Sequence, residues 1–140
     1  MSEGVIFTSA EKSMHADYVA VLRPRLTRDQ LQQVIKNAFR YHGRPYDFAF
    51  DFADESKLVC SELLHYSFGG IHDFPMDTVL GKKVVTPLGI VEQFTKQSDP
   101  TNGPLQFILF HDANHGQRQP TAASLEAFRK SADRPKVFNE

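Results

Sequence analysis

The sequence predicts an α+β domain with a small, mainly antiparallel sheet packed with helices. The chain has 140 residues, about one domain's worth, and 41% of them are apolar, which is enough for one compact core. Strand-like and helix-like segments follow one another in the order β, α, loop, α, loop, α, β, α. No apolar run approaches the roughly 20 residues that cross a bilayer, so we expect no transmembrane segment.

Composition excludes several classes of function. Sixteen basic residues against seventeen acidic ones give a net charge of −1, so we expect no nucleic-acid partner. The single cysteine, Cys60, excludes an internal disulfide and a cysteine-based zinc finger. It leaves either a reactive thiol or a small buried apolar side chain. The first residues, MSEGVIFTSAEKSM, lack the pattern of a secretory signal, and the compartment stays open. We expect no cofactor.

The first quarter of the chain contains a predicted strand and the best helix signal. Val5–Phe7 fits the end of a strand, 8–16 a polar turn, and Asp17–Leu22 a buried strand closed by Arg23-Pro24. Thr27 with Gln30 forms a capping-box pair, and Gly43 suits the C-terminal cap. The helix between them carries one apolar stripe, which consists of Leu31, Val34, Ile35, Ala38 and Phe39.

The stretch after this helix alternates aromatic and polar residues. Pro45 excludes a helix at its start, so 44–54 is predicted to be an extended loop or short strand with Phe48, Phe50 and Phe52 on one face. Three aspartates, Asp47, Asp51 and Asp54, suggest calcium. Their spacing does not fit an EF-hand loop, and we expect no metal.

Helical spacing returns over Lys57–Phe68 and places Cys60 in the first turn. Unpaired N–H groups and the positive end of the helix dipole stabilise a thiolate there. The possible caps are Asp54, Glu55 and Ser56. At about 100° per residue, Glu62 and His65 point away from Cys60, and Glu62 is expected to reach backbone groups or a basic side chain.

The second half is predicted with less regular structure. Residues 71–83 form an irregular connection, Val84-Val85 a strand end, and Thr86 and Pro87 open a helix to about Thr95. Leu105–Phe110 is the clearest strand and ends at His111-Asp112. The tail is expected to contain a polar loop at 113–120, a short helix at 121–131 with Leu125 and Phe128 inward, and a charged end at 133–140.

Two short runs carry a resemblance. G-R-P-Y-D-F at 43–48 followed by C-S-E-L-L at 60–64 resembles the permuted papain-like amidases of the YiiX type, relatives of the NlpC-type cell-wall hydrolases. V-L-R-P and V-V-T-P-L resemble weaker family features, so the likeness covers about 4–110. It implies a permuted papain-like (NlpC-type) fold over 1–112, with 113–140 as a C-terminal extension.

The resemblance implies that Cys60 is the acyl-forming nucleophile of a cysteine hydrolase, with Tyr46 and Asp47 lining or bracing the site. The implied substrates are peptidoglycan-type amides or lipid acyl groups. The family's histidine base lies on a strand N-terminal to the cysteine, and alignment places it before Met1. We therefore expect an incomplete domain, with an open sheet edge that favours homo-oligomers.

Three alternatives stay open. His111, at the end of a core strand, is an alternative base, whereas His15 lies in surroundings unlike those of the family's histidine. The chain is otherwise a catalytically inactive remnant or binding module of the same fold, or a structural domain with a buried Cys60.

Overall fold

The computed structural model describes residues 4–97, 99, 102–113 and 121–133. The elements are α1 (Ala10–Ser13), β1 (Tyr18–Pro24), α2 (Arg28–Arg40), α3 (Cys60–Phe68), β2 (Met76–Val79), β3 (Lys82–Val85), α4 (Pro87–Lys96), β4 (Leu105–Asp112), β5 (Thr121–Ala122) and α5 (Leu125–Lys130). They confirm the α+β class. Within the described residues, no helix has both the length and the hydrophobicity needed to cross a bilayer.

The chain divides into two compact units. One, the cysteine unit, comprises residues 1–7 and 26–93 and contains α2, α3 and the β2–β3 pair. The other, the three-stranded unit, comprises residues 8–25 and 94–140. The predicted division at residue 112 concerns membership of a family domain and stays a prediction.

The three-stranded unit is built on an antiparallel sheet in the order β1-β4-β5. The register runs from Tyr18 opposite Asp112 to Pro24 opposite Leu105, with an irregularity after Val21. The expected end of β1 before Arg23-Pro24 is wrong, because a proline at the end of a strand removes no interior ladder bond. β1 is also only half-buried rather than buried.

An aromatic cluster fills the core of this unit. The ring of Phe128, on α5, lies 5.4 Å from those of Phe94 and Phe110 and 5.6 Å from that of Phe107. Phe128 is fully buried, which confirms its predicted inward position. The predicted start of this helix at residue 121 is wrong, since 121–122 pair with β4 and Ser124 caps α5.

Two other predictions concern the ends of this unit. The predicted turn at 8–16 contains α1, whose cap Ser9 accepts a hydrogen bond from the Lys12 N–H at 3.2 Å. The polar loop and the charged end lie mostly outside the described residues, at 114–120 and 134–140.

In the cysteine unit, α2 begins as predicted. Thr27 Oγ1 accepts from the Gln30 N–H at 3.2 Å, and Gln30 Oε1 accepts from the Thr27 N–H at 2.9 Å. The helix ends at Arg40 with Tyr41 as its C-cap, and Gly43, two residues after the cap, takes the left-handed conformation (φ 85°).

The predicted burial of the α2 stripe is only partly correct. Val34 is buried, but Leu31, Ile35 and Phe39 are exposed, Phe39 by 59%. The reason is that α2 packs against α3, where Asn37 Nδ2 donates to the Ser67 carbonyl at 3.1 Å. The contact line therefore runs beside the stripe rather than along it.

The predicted irregular connection at 71–83 is wrong, because β2 and β3 form an antiparallel hairpin. Its two-residue turn, Leu80-Gly81, has positive φ at both positions (50° and 79°), as in a type I′ turn. Leucine is an unusual first residue for such a turn, and the signal was missed for that reason. Thr86 caps α4 as predicted and accepts from the Gly89 N–H at 2.9 Å.

We predict that Phe128→Ala lowers the free energy of unfolding by about 3–5 kcal/mol, because it removes the central ring of the aromatic cluster. Ile108→Ala, on the same strand as two of its partners but partly exposed, is the control and should cost less than about 1 kcal/mol. Urea unfolding followed by far-UV circular dichroism measures both. Equal losses would contradict a core centred on Phe128.

Candidate active site

Cys60 is the first residue of α3, and its thiol is free and exposed. This confirms the predicted first-turn position. The predicted caps, Asp54, Glu55 and Ser56, are wrong: the N-cap is Val59, whose backbone is extended (φ −89°, ψ 168°). Asp54 instead accepts from the Ser56 N–H at 2.9 Å, and the hydrogen bonds of Ser56 lower the pKa of Asp54.

Because the N-cap of α3 is a valine, no cap side chain accepts hydrogen bonds from the first N–H groups of the helix. The usual cap residues carry an oxygen that accepts from the second or third N–H of the helix, and valine has none. The N–H groups of Ser61 and Glu62 therefore donate no bond to the cap side chain. Together with the Cys60 N–H, they can donate to an anionic oxygen beside the thiol.

The side chain of Glu62 binds the backbone at the start of α3. It is 0% exposed, and its Oε2 accepts from the Val59 N–H at 2.6 Å. Its Oε1 has no hydrogen-bond partner among the described residues. Burial raises the pKa of Glu62. The hydrogen bond from the Val59 N–H lowers this pKa, whereas the negative charges of Asp47, Asp51 and Asp54 raise it. The prediction that Glu62 reaches a backbone group is confirmed.

Asp47 organises the loop that follows the G-R-P-Y-D run. Its buried carboxylate accepts from the Ala49 N–H at 2.9 Å and from the Asp51 N–H at 2.5 Å. Both oxygens therefore hold the turn that presents Phe48 and Phe50. Among the described residues, no three histidine, cysteine or acidic side chains form a group suited to a metal ion.

The loop at 47–57 has no helix or strand, and side chains from outside it hold its backbone. Three of its carbonyl groups accept hydrogen bonds from such side chains. The bonds run from Lys82 Nζ to Ala49 at 2.6 Å, from the Tyr66 hydroxyl to Phe52 at 2.5 Å, and from the Arg44 guanidinium to Glu55. This loop is therefore fixed to α3, to β3 and to the segment that follows α2.

A cavity of about 620 Å³ lies beside Cys60. The loop forms one wall, and the β2–β3 hairpin with the start of α4 forms the other. Tyr46, directly before the loop, also lines the cavity, and its ring lies 4.9 Å from that of Phe48 and 6.4 Å from that of Phe50. The lining residues are Tyr46, Phe48, Ala49, Phe50, Phe52, Val59, Cys60, Ser61, Val79, Leu80, Lys82, Val84, Val85, Thr86 and Pro87.

A second cavity, of about 220 Å³, adjoins the same cysteine. Its far wall is the N-terminal segment, which is held by bonds from the Val5 N–H to the Arg44 carbonyl and from the Gly43 N–H to the Val5 carbonyl, both 2.9 Å. Gly4 permits this approach, because a Cβ there would lie 2.2 Å from the Arg44 oxygen. Tyr46, Val59 and Cys60 line both cavities, so the thiol lies at their border.

The histidines are distributed over both units. His111 lies half-buried on β4 of the three-stranded unit, and His15 is exposed in the same unit. In the cysteine unit, His65 lies beside the rings of Phe52 and Tyr66. Within the described part of the chain, Cys60 Sγ makes no hydrogen bond. No base is thus paired with the thiol there.

Comparison of the chain with protein-family models, with curated proteins and with solved structures finds no match. The resemblance to the YiiX-type amidases therefore stays a prediction. Of the predicted site residues, Cys60 and Tyr46 line the larger cavity, and Asp47 holds the loop behind it. Leu80 and Lys82 also line the cavity, and they were not predicted because the hairpin that carries them was not predicted.

We predict that Glu62→Ala lowers the free energy of unfolding by about 1–3 kcal/mol, because the buried Val59 N–H loses its acceptor. Glu62→Gln keeps an acceptor oxygen and should lose less. Urea unfolding between pH 4 and pH 8 distinguishes the two variants from the native chain.

The pH dependence has a definite sign. Because the folded pKa of Glu62 is raised above its ordinary value of 4.5, its contribution to stability is fully present below that value and is lost as the pH rises through the folded pKa. The free energy of unfolding of Glu62→Gln, relative to that of the native chain, should therefore increase as the pH rises above about 4.5. A relative loss over this range would show that Glu62 is stabilised as a carboxylate.

We predict that Asp47→Ala frees the amides of Ala49 and Asp51, which then exchange hydrogen at least about tenfold faster. Asp47→Asn keeps one acceptor oxygen and should protect one of the two amides. Residue-resolved hydrogen exchange measures this, with the Val34 amide in α2 as the internal control. Unchanged exchange at both amides would show that Asp47 does not hold the loop.

Proposed function

We propose that this chain is a cysteine hydrolase that cleaves an amide or ester through an acyl-enzyme on Cys60, on a permuted papain-like (NlpC-type) fold. One observation carries the proposal. An exposed thiol begins a helix at the border of two cavities, beside N–H groups that the N-cap side chain leaves free. Nucleophilic acyl transfer needs these parts together: an accessible nucleophile, donors for the oxyanion, and space on both sides of the carbonyl.

The reaction has two steps. The Cys60 thiolate attacks the carbonyl carbon, and the tetrahedral oxyanion accepts bonds from the N–H groups of Cys60 and its neighbours. The C–N or C–O bond then breaks, and the leaving group takes a proton. In the second step water attacks the thioester, releases a carboxylic acid and restores the thiol.

The two cavities suggest how the substrate divides. The larger cavity suits the acyl part, and the smaller one suits a compact leaving group or the water of the second step. Tyr46 lines both and would lie beside the scissile bond. Asp47 acts at a distance, by holding the loop that forms the wall of the larger cavity.

The thiol proton needs an acceptor. The resemblance implies a histidine on a strand N-terminal to the cysteine, and His111 is the alternative base within this chain. A second function has its own support. Because Cys60 Sγ makes no hydrogen bond within the described residues, a binding module that keeps the cavities without the chemistry also fits the site.

We predict that Cys60 reacts with iodoacetamide at pH 7 faster in the folded chain than in urea, because the exposed thiol begins α3 beside N–H groups that the N-cap side chain leaves free. Cys60→Ser is the blank. His111→Ala slows the folded reaction only if His111 is the base. Mass spectrometry after addition of p-nitrophenyl acetate should also show one acetyl group on Cys60.

The outcomes separate the two functions. Rapid alkylation with an acetyl-enzyme that turns over supports the hydrolase. Alkylation no faster than in urea, with no acetyl-enzyme, would leave the binding module as the function of this site.

A further inference from the structure

We propose that the larger cavity binds a single hydrocarbon chain with one anionic end, and thus that the acyl part of the substrate is an apolar chain rather than a peptide. The second clause rests on the proposed function. The first stands on the cavity itself.

The chemistry of the walls favours a hydrocarbon. Apart from Cys60, Ser61, Lys82 and Thr86, every lining side chain is aromatic or aliphatic. A peptide brings an N–H and a carbonyl with each residue, and each needs a partner when it leaves water. The wall offers few, because the Ala49 carbonyl is already bonded to Lys82 and Thr86 Oγ1 to Gly89 and Asp77.

Size agrees with one small ligand. A volume of about 620 Å³ lies within the range of about 300–1,000 Å³ that is common for small-molecule sites. The cavity has two walls from one compact unit, so a chain lying in it would contact the loop and the hairpin at once.

Lys82 supplies the complementary charge. It is the charged residue among those that line the cavity, and its Nζ uses one N–H for the Ala49 carbonyl at 2.6 Å. An ammonium group has three N–H donors, so others remain for a ligand. A carboxylate, which the proposed hydrolysis releases, is a suitable partner.

Two residues at the rim of the cavity expose apolar side chains to water and also have an unfavourable backbone conformation. Leu80 is 98% exposed and Phe50 49% exposed, and both have left-handed backbones (φ 50° and 52°). Bulky residues rarely adopt this conformation. Asparagine would suit the hairpin turn better, and an apolar ligand gives leucine a role there that asparagine lacks.

The test uses the full chain with Cys60→Ser, so that no turnover occurs. Dansyl-labelled undecanoic acid is the fluorescent probe, and decanoate and decanol compete for it below their aggregation limits. We expect saturable binding, with decanoate displacing the probe at about tenfold lower concentration than decanol.

Two substitutions with matched controls locate the ligand. Leu80→Asn should weaken decanoate about tenfold without lowering the melting temperature, whereas Leu88→Gln, an exposed leucine outside the cavity lining, should change neither. Lys82→Gln, which keeps a donor for Ala49, should weaken decanoate but not decanol. Lys83→Gln, on the adjacent strand position outside the lining, should weaken neither ligand.

Several results would overturn the proposal: no saturable binding, equal affinity in Leu80→Asn and Leu88→Gln, or probe uptake only with phospholipid vesicles, which would indicate a membrane-contact surface instead. The same experiments distinguish failure of the hydrolase from failure of the ligand site. Saturable binding with an unreactive Cys60 contradicts the hydrolase but supports the ligand site. A reactive Cys60 without saturable binding contradicts the ligand site.

Discussion

The hydrogen bond from the Val59 N–H to Glu62 Oε2 determines where α3 begins, and the site depends on that start. A shift of one residue in the register of α3 would rotate Cys60 by about 100° and remove it from the border of the two cavities. The cost is a carboxyl group buried with one oxygen unpartnered among the described residues. Such a cost is common where a protein holds a group in place for chemistry.

Around that helix start, hydrogen bonds from side chains, rather than a helix or a sheet, hold the backbone in place. The 47–57 loop has no ladder of backbone bonds, and Lys82, Tyr66 and Arg44 hold three of its carbonyl groups. Asp47 closes the turn from inside. A loop fixed in this way can keep aromatic rings such as Phe48 in water without losing its shape.

Local signals in the sequence were reliable where the physics is local. The capping box at Thr27, the helix opened by Thr86 and Pro87, and the first-turn position of Cys60 all follow from neighbouring residues, and all are confirmed. The sequence did not predict the hairpin, because its turn carries Leu80 where asparagine is the usual signal. It did not predict the cap of α3, because Val59 has no capping oxygen.

By itself, then, the sequence determined the α+β class, the places of most helices and strands, and a cysteine at a helix start, since propensity, periodicity and caps act within a few residues. Tertiary structure alone decided which face of α2 is buried and that Glu62 lies in the core. It also decided that the hairpin and the loop enclose an apolar cavity beside Cys60. These features depend on packing between segments distant in sequence, and no short-range pattern encodes that packing.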